Sequence, residues 1–131
     1  SSRLSGIRVL VADDHPQHRE LAMTILKPAG CEITEARDGF EALTLSMQTP
    51  FDVMLIDMLM PGLTGIETLK SIRRSRGPND ATPAIAYTAA VAGEAATLLA
   101  AGFAGVVFKP VQPAHLIHAI SNATEILAHA C

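Results

Sequence analysis

The side chains with chemistry to offer are the adjacent carboxylates Asp13 and Asp14, the carboxylate of Asp57, the hydroxyl of Thr88 and the ammonium of Lys109. Three carboxylates gathered on one sheet edge repel one another, each close pair by a few kcal/mol at an effective dielectric of ~20 and ~4 Å. A hard divalent cation with oxygen ligands relieves that repulsion. Mg2+ suits best, because it keeps several waters and takes one or two carboxylates plus phosphate oxygens. Lys109 offsets part of the charge even without metal. The set also suits phosphoryl transfer, in which a protein mainly positions groups and neutralises the equatorial oxygens. Asp57 would then be the nucleophile. Mg2+ would sit on Asp14, Asp57 and the backbone carbonyl of Leu59, with Asp13 acting through water, while Lys109 and the Thr88 hydroxyl take the remaining oxygens.

Each residue also has a plainer reading. An Asp13-Asp14 pair before a helix is more often an N-terminal cap than a metal site, and Asp14 could do both. Thr88 alone is an ordinary strand residue, and Lys109 alone a surface charge. Asp57 is harder to dismiss, since a carboxylate ending the run Val53-Met54-Leu55-Ile56 is costly beside a core without a partner. Only the joint placement of these groups makes a site.

That placement follows from the elements. Short apolar runs at Ile7–Ala12, Glu32–Ala36, Asp52–Asp57, Pro83–Thr88 and Gly105–Phe108 read as strands, the first and third nearly all aliphatic as buried parallel strands should be. Helices are expected at Pro16–Lys27, Gly39–Met47, Gly65–Arg74, Gly93–Ala101 and Pro113–Ala128. Asp38 with Glu41 has capping-box spacing, Pro16 and Pro113 suit first-turn positions, and Gly30, Gly77 and Gly102 serve as C-terminal stops. The alternation implies a doubly wound α/β fold with a parallel sheet and helices on both faces. Ligands of such sheets collect beyond the carboxyl ends of the strands, which is where Asp13, Asp14, Asp57, Thr88 and Lys109 fall.

Composition excludes several classes. A chain of 131 residues with 49% hydrophobic content forms one domain, with its core at about 6–128, and needs no disulfide or metal to fold. Cys31 and Cys131 are its only cysteines, which favours a reducing, cytoplasmic setting. No apolar run reaches the ~20 residues of a membrane span. A net charge of -3 with 4% aromatic residues gives little reason to expect nucleic-acid binding. The cations Lys70, Arg73, Arg74 and Arg76 cluster at a helix end, where the dipole favours them. A start at Ser1 leaves open a longer parent protein.

The segments VLVADDHP, DVMLIDMLMPGLTGIE, AYTAA and VFKP resemble, in order and spacing, the signature segments of response-regulator receiver domains, over essentially the whole chain. The resemblance implies a flavodoxin-like (βα)5 fold with strand order 2-1-3-4-5, a cis Lys109-Pro110 peptide, and a phosphoacceptor role for Asp57 with Mg2+. It implies a histidine kinase or histidine phosphotransfer protein as partner, and a two-component system or phosphorelay as setting. The acidic pair and the Thr-Ala step lean towards the receiver of a hybrid histidine kinase. The alternative is a pseudo-receiver, a constitutive protein-interaction module without phosphorylation. Flavodoxins need a Ser/Thr/Gly-rich phosphate loop after the first strand, and haloacid-dehalogenase phosphatases need a second Asp where Leu59 stands, so both fit poorly. The domain is expected to assist its own phosphoryl transfer rather than act as an enzyme.

Departures from the pattern mark what is particular to this chain. Val106 stands where many receivers carry Tyr or Phe as a rotameric switch, and Pro61-Gly62-Leu63-Thr64-Gly65 lacks the frequent Met-Asp. Leu59 and Ala90 occupy positions that tune hydrolysis in other receivers, and neither can orient a water. The fourth helix is rich in alanine, with Glu94 its only charge, and is a candidate partner or dimer face. His15, His18 and Ala22 form a stripe on the first helix, either a solvated face or a docking patch for a phosphohistidine donor.

Overall fold

A computed structural model describes residues 4–89 and 94–129. The elements run β1 (Arg8–Ala12), α1 (Pro16–Leu26), β2 (Glu32–Ala36), α2 (Gly39–Gln48), β3 (Val53–Asp57), α3 (Gly65–Ser75), β4 (Ala84–Thr88), α4 (Ala95–Ala100), β5 (Gly105–Phe108) and α5 (Pro113–His129). The strands form one parallel sheet in the order β2-β1-β3-β4-β5, the expected flavodoxin-like order. Leu10 lies opposite Met54 and Ile56 opposite Ala86, so the carboxyl ends of β1, β3 and β4 finish side by side.

Side chains alternate between sheet faces along a strand, and the two halves of the core obey that period. Val9, Val11, Val53, Leu55, Ile85 and Tyr87 meet Ile25 and Leu26 of α1 and Leu116 and Ile120 of α5. Leu10, Met54, Ile56, Ala84 and Ala86 meet Ala42, Leu69, Ile72 and Leu98 of α2, α3 and α4. Being covered on both sides, β1, β3 and β4 can be nearly continuous in apolar residues. The edge strand β2 instead exposes Glu32 and Glu35, charges that discourage pairing with a foreign strand.

Helix ends differ from expectation in two places. Asp38 accepts a hydrogen bond from the Glu41 N–H at 2.8 Å, but the Glu41 carboxylate takes the Arg37 N–H at 2.8 Å, so the box is not reciprocal. The complete capping box is Thr64 with Glu67, at the start of α3. There Gly65 packs so closely that an added Cβ would collide with the Asp57 carbonyl oxygen. The second difference is at the end of α3, where Arg76 rather than Gly77 adopts the left-handed conformation, with φ 55°. A side chain at that conformation costs about 1 kcal/mol or more. Arg76→Gly should therefore raise stability by roughly 0.5–1 kcal/mol, read as a higher denaturant midpoint at unchanged slope.

The basic cluster is used structurally in part. Arg73 donates to the carbonyls of Asn79 at 3.3 Å and Asp80 at 3.1 Å, closing the loop after α3. Asn79 is fully buried and links that loop to both α2 and the entry to β3. Of the alanine-rich fourth helix, Leu98 is buried and Leu99 is half exposed, while Ala92 and Gly93 lie outside the described residues.

Candidate functional site

The loop after β1 is fixed before it contributes any chemistry. The Asp13 N–H donates to the Ala36 carbonyl, and Arg19 donates to the Asp13 carbonyl at 2.7 Å and to Glu35 at 3.0 Å. The Asp13 side chain is thereby held fully buried. One carboxylate oxygen accepts the His15 N–H at 2.9 Å; the other accepts Lys109 Nζ at 3.1 Å and lies 3.2 Å from His18 Nδ1. The cap position of α1 belongs to His15, whose side chain makes no capping hydrogen bond, so neither aspartate is the helix cap.

Asp57 ends β3 and is 3% exposed. Its Oδ1 accepts Lys109 Nζ at 3.1 Å, and the Leu59 backbone N–H also donates to its carboxylate. Burial, and then the charge of Asp13, push the Asp57 carboxyl above the usual range, against the pull of Lys109 and the Leu59 N–H. The Leu59 side chain stands in solvent. Lys109 reaches back from the end of β5, where its N–H bonds the Thr88 carbonyl at 2.8 Å and its peptide to Pro110 is cis. Its ammonium lies 4.6 Å from the centroid of the Tyr87 ring, a cation–π contact. Burial, followed by the charges of Asp13 and Asp57, pushes the Tyr87 hydroxyl up to about 12.

Asp13, Asp14, Asp57 and Lys109 thus meet in one cluster, and Thr88 is buried at the adjoining end of β4. Asp14 Oδ1 is sealed from solvent and has no hydrogen-bond partner, although His15 Nδ1 lies 3.1 Å away in poor alignment. An orphaned carboxylate oxygen among oxygen donors fits a hard cation. Mg2+ should therefore raise the unfolding temperature of the parent, by about 2.7 kcal/mol of stability at a hundredfold excess over its Kd. Asp14→Ala should lose most of that gain in a thermal-shift titration; an unchanged gain would place the cation elsewhere.

Sequence reasoning did not assign His18 or Tyr87 to the site: His18 was placed only in a stripe on the first helix, and Tyr87 lies within AYTAA without a role of its own, so both reach the site only through the fold. The proposed stripe on α1 also needs correction. Ala22 is fully buried against the sheet, so only His15 and His18 of that set are exposed to any degree. Val106 packs, partly buried, on the α2–α4 side of the sheet. Ala90 lies outside the described residues.

The family model described as response regulator receiver domain matches residues 9–121. The chain belongs to the response-regulator receiver family. Among solved structures, this receiver domain resembles that of the Francisella response regulator 1452, with a TM-score of 0.84 and 32% identity, covering 93% of this chain and 99% of that one. It also resembles the chemotaxis protein CheY4 of Vibrio cholerae, with a TM-score of 0.82 and 30% identity over 91% of this chain and 99% of that one. Among curated proteins it is 36% identical to part of the sensor histidine kinase AruS of Pseudomonas aeruginosa, over 93% of this chain but 12% of that protein. With the sensor histidine kinase GacS of Pseudomonas protegens the identity is 32%, over 89% of this chain and 13% of that protein. The receiver thus spans about an eighth of the length of these relatives. It is a signalling module of two-component systems, and no helix among its described residues is long and apolar enough to cross a membrane.

Proposed function

We propose that this receiver accepts a phosphoryl group on Asp57 from the phosphohistidine of a histidine kinase or histidine phosphotransfer protein, and changes its interaction surface as a result. The observation that carries this reading is the buried Asp57 carboxylate with Lys109 Nζ at 3.1 Å and two further carboxylates beside it. An Asp57 oxygen attacks phosphorus; the P–O bond forms as the P–N bond breaks, and the departing imidazole leaves neutral with its own proton. Lys109 follows the developing charge from Asp57 onto an equatorial phosphoryl oxygen, and the Thr88 hydroxyl, at the adjacent strand end, donates a hydrogen bond to another. Asp14, Asp57 and the Leu59 carbonyl would hold Mg2+, with Asp13 through water. When bound, the cation supplies positive charge for the phosphoryl oxygens.

Residues 1–131 act as a single receiver domain, in a cytoplasmic phosphorelay. Its likeness to segments of AruS and GacS supports placement within a hybrid histidine kinase. Incubation with acetyl phosphate or a phosphohistidine protein, in Mg2+, should add one phosphoryl group that hydroxylamine removes. No incorporation from either donor would overturn the reading and favour constitutive binding.

A further inference from the structure

The start of α1 carries two histidines that the phosphoryl-transfer chemistry does not use. His15 and His18 stand three residues apart with ring centroids 4.7 Å from each other. His18 Nδ1 lies 3.2 Å from Asp13 Oδ2, and His15 Nδ1 lies 3.5 Å from Asp13 Oδ1 and 3.1 Å from Asp14 Oδ1. The ligand atoms of Asp13, His15 and His18 lie within 4.8 Å of one another. Around a Zn2+ ion with ligands at ~2.0–2.2 Å, tetrahedral ligand atoms are separated by a little over 3 Å, so small rotations would close this triad on a metal.

The three donors differ in ways a metal site needs. Asp13 is rigid, being fully buried and held by the His15 N–H. The imidazoles are reachable, with side chains 57% and 36% exposed, which gives an ion an entry path. Mg2+ prefers oxygen donors, whereas two imidazoles with one carboxylate select a borderline transition ion of the Zn2+ class. A fourth position remains for water or a phosphoryl oxygen.

We propose that Asp13, His15 and His18 form a binding site for a Zn2+-class cation that overlaps the acidic cluster and opposes phosphorylation. The opposition follows from shared atoms. His18 Nδ1 lies 3.0 Å from Lys109 Nζ, and Asp13 Oδ2 accepts from that same ammonium, so a cation on both residues displaces Lys109 from two of its contacts. It also takes Asp13 away from the Mg2+ environment. The metal binding itself stands on the triad and does not depend on Asp57 being the acceptor.

Isothermal titration of the folded domain with Zn2+, followed by Co2+ absorption to report nitrogen ligands, tests the site. Losing one ligand should weaken binding at least as much as losing a ligand's supporting partner does, about 10–100-fold. His15→Ala and His18→Ala should each show that loss, whereas Lys70→Ala, at an exposed position of α3, should bind Zn2+ as the parent does. In excess Mg2+, a stoichiometric amount of Zn2+ should slow acetyl-phosphate labelling of the parent and leave His15→Ala unaffected. Equal Zn2+ affinity in the parent and both histidine variants would overturn the site. Equal inhibition of the parent and His15→Ala would overturn the opposition. Failure of labelling in every protein without Zn2+ would count against the acceptor role of Asp57 while leaving the titration decisive for the metal.

Discussion

Asp57→Asn should show no labelling by acetyl phosphate above background, and should nevertheless be more stable than the parent at neutral pH. The first result follows because the amide offers no anionic oxygen to phosphorus, and no other carboxylate of the cluster has Asp57's position at the end of β3 beneath Lys109. The second follows from the sign of the carboxyl's displacement. Burial, then Asp13, raise it, so the native state holds this proton more tightly than the unfolded chain does. As pH rises through the interval between the ordinary carboxylate value and the raised one, the unfolded chain releases its proton first and stability falls. Above the raised value the deficit is complete. Asparagine removes it, so the stability difference between variant and parent should grow across that acidic interval and then level off. Thermal unfolding of both proteins from acid to neutral pH reads this directly. A variant that is unlabelled and also less stable at neutral pH would have lost activity through its fold, and the assignment of Asp57 would lose its support.

A different residue should dominate stability. Asn79→Ala is expected to cost about 3–4 kcal/mol, near the upper end for a single substitution. The Asn79 side chain accepts the Phe51 N–H at 2.8 Å and the Thr82 hydroxyl at 3.0 Å, and donates to the carbonyls of Ser46 at 2.6 Å and Thr49 at 2.7 Å. Alanine would strand these groups, of which the Phe51 N–H, the Thr82 hydroxyl and the Ser46 carbonyl meet Asn79 in buried hydrogen bonds, each at ~1–3 kcal/mol before relaxation. For a domain of this size the loss corresponds to roughly 10 °C in unfolding temperature. Lys70→Ala, at an exposed position of α3, serves as the control and should change little. Because Phe51 and Thr82 precede β3 and β4, Asn79 sits at the opposite end of the sheet from Asp57. Labelling of Asn79→Ala well below its unfolding temperature should therefore match the parent. A loss under 1 kcal/mol would show that the loop can repack around the missing amide.

The sequence by itself determined the layered architecture and the composition of the acidic cluster, because both are written in local patterns. Apolar runs bounded by Gly, Pro and Asp mark β1, β3 and β4, and a parallel sheet must bring the ends of those runs to one edge. Asp13, Asp14 and Asp57 follow from that rule, and Lys109 from the same rule applied to the end of β5. The capping box was expected at Asp38 and Glu41, but the pair that closes is Thr64 and Glu67, which has the same spacing and was not singled out. Tertiary structure decided what lies across long separations. The partners of Asn79 are 28 to 33 residues away for Phe51 and Ser46, and Lys109 meets Asp57 across 52 residues and Asp13 across 96. No periodicity encodes such pairings. The burial of Ala22, the approach of His18 to Lys109 and the orphaned oxygen of Asp14 depend on how α1 is rotated against the sheet, which is set by side-chain packing on the face it shares with α5.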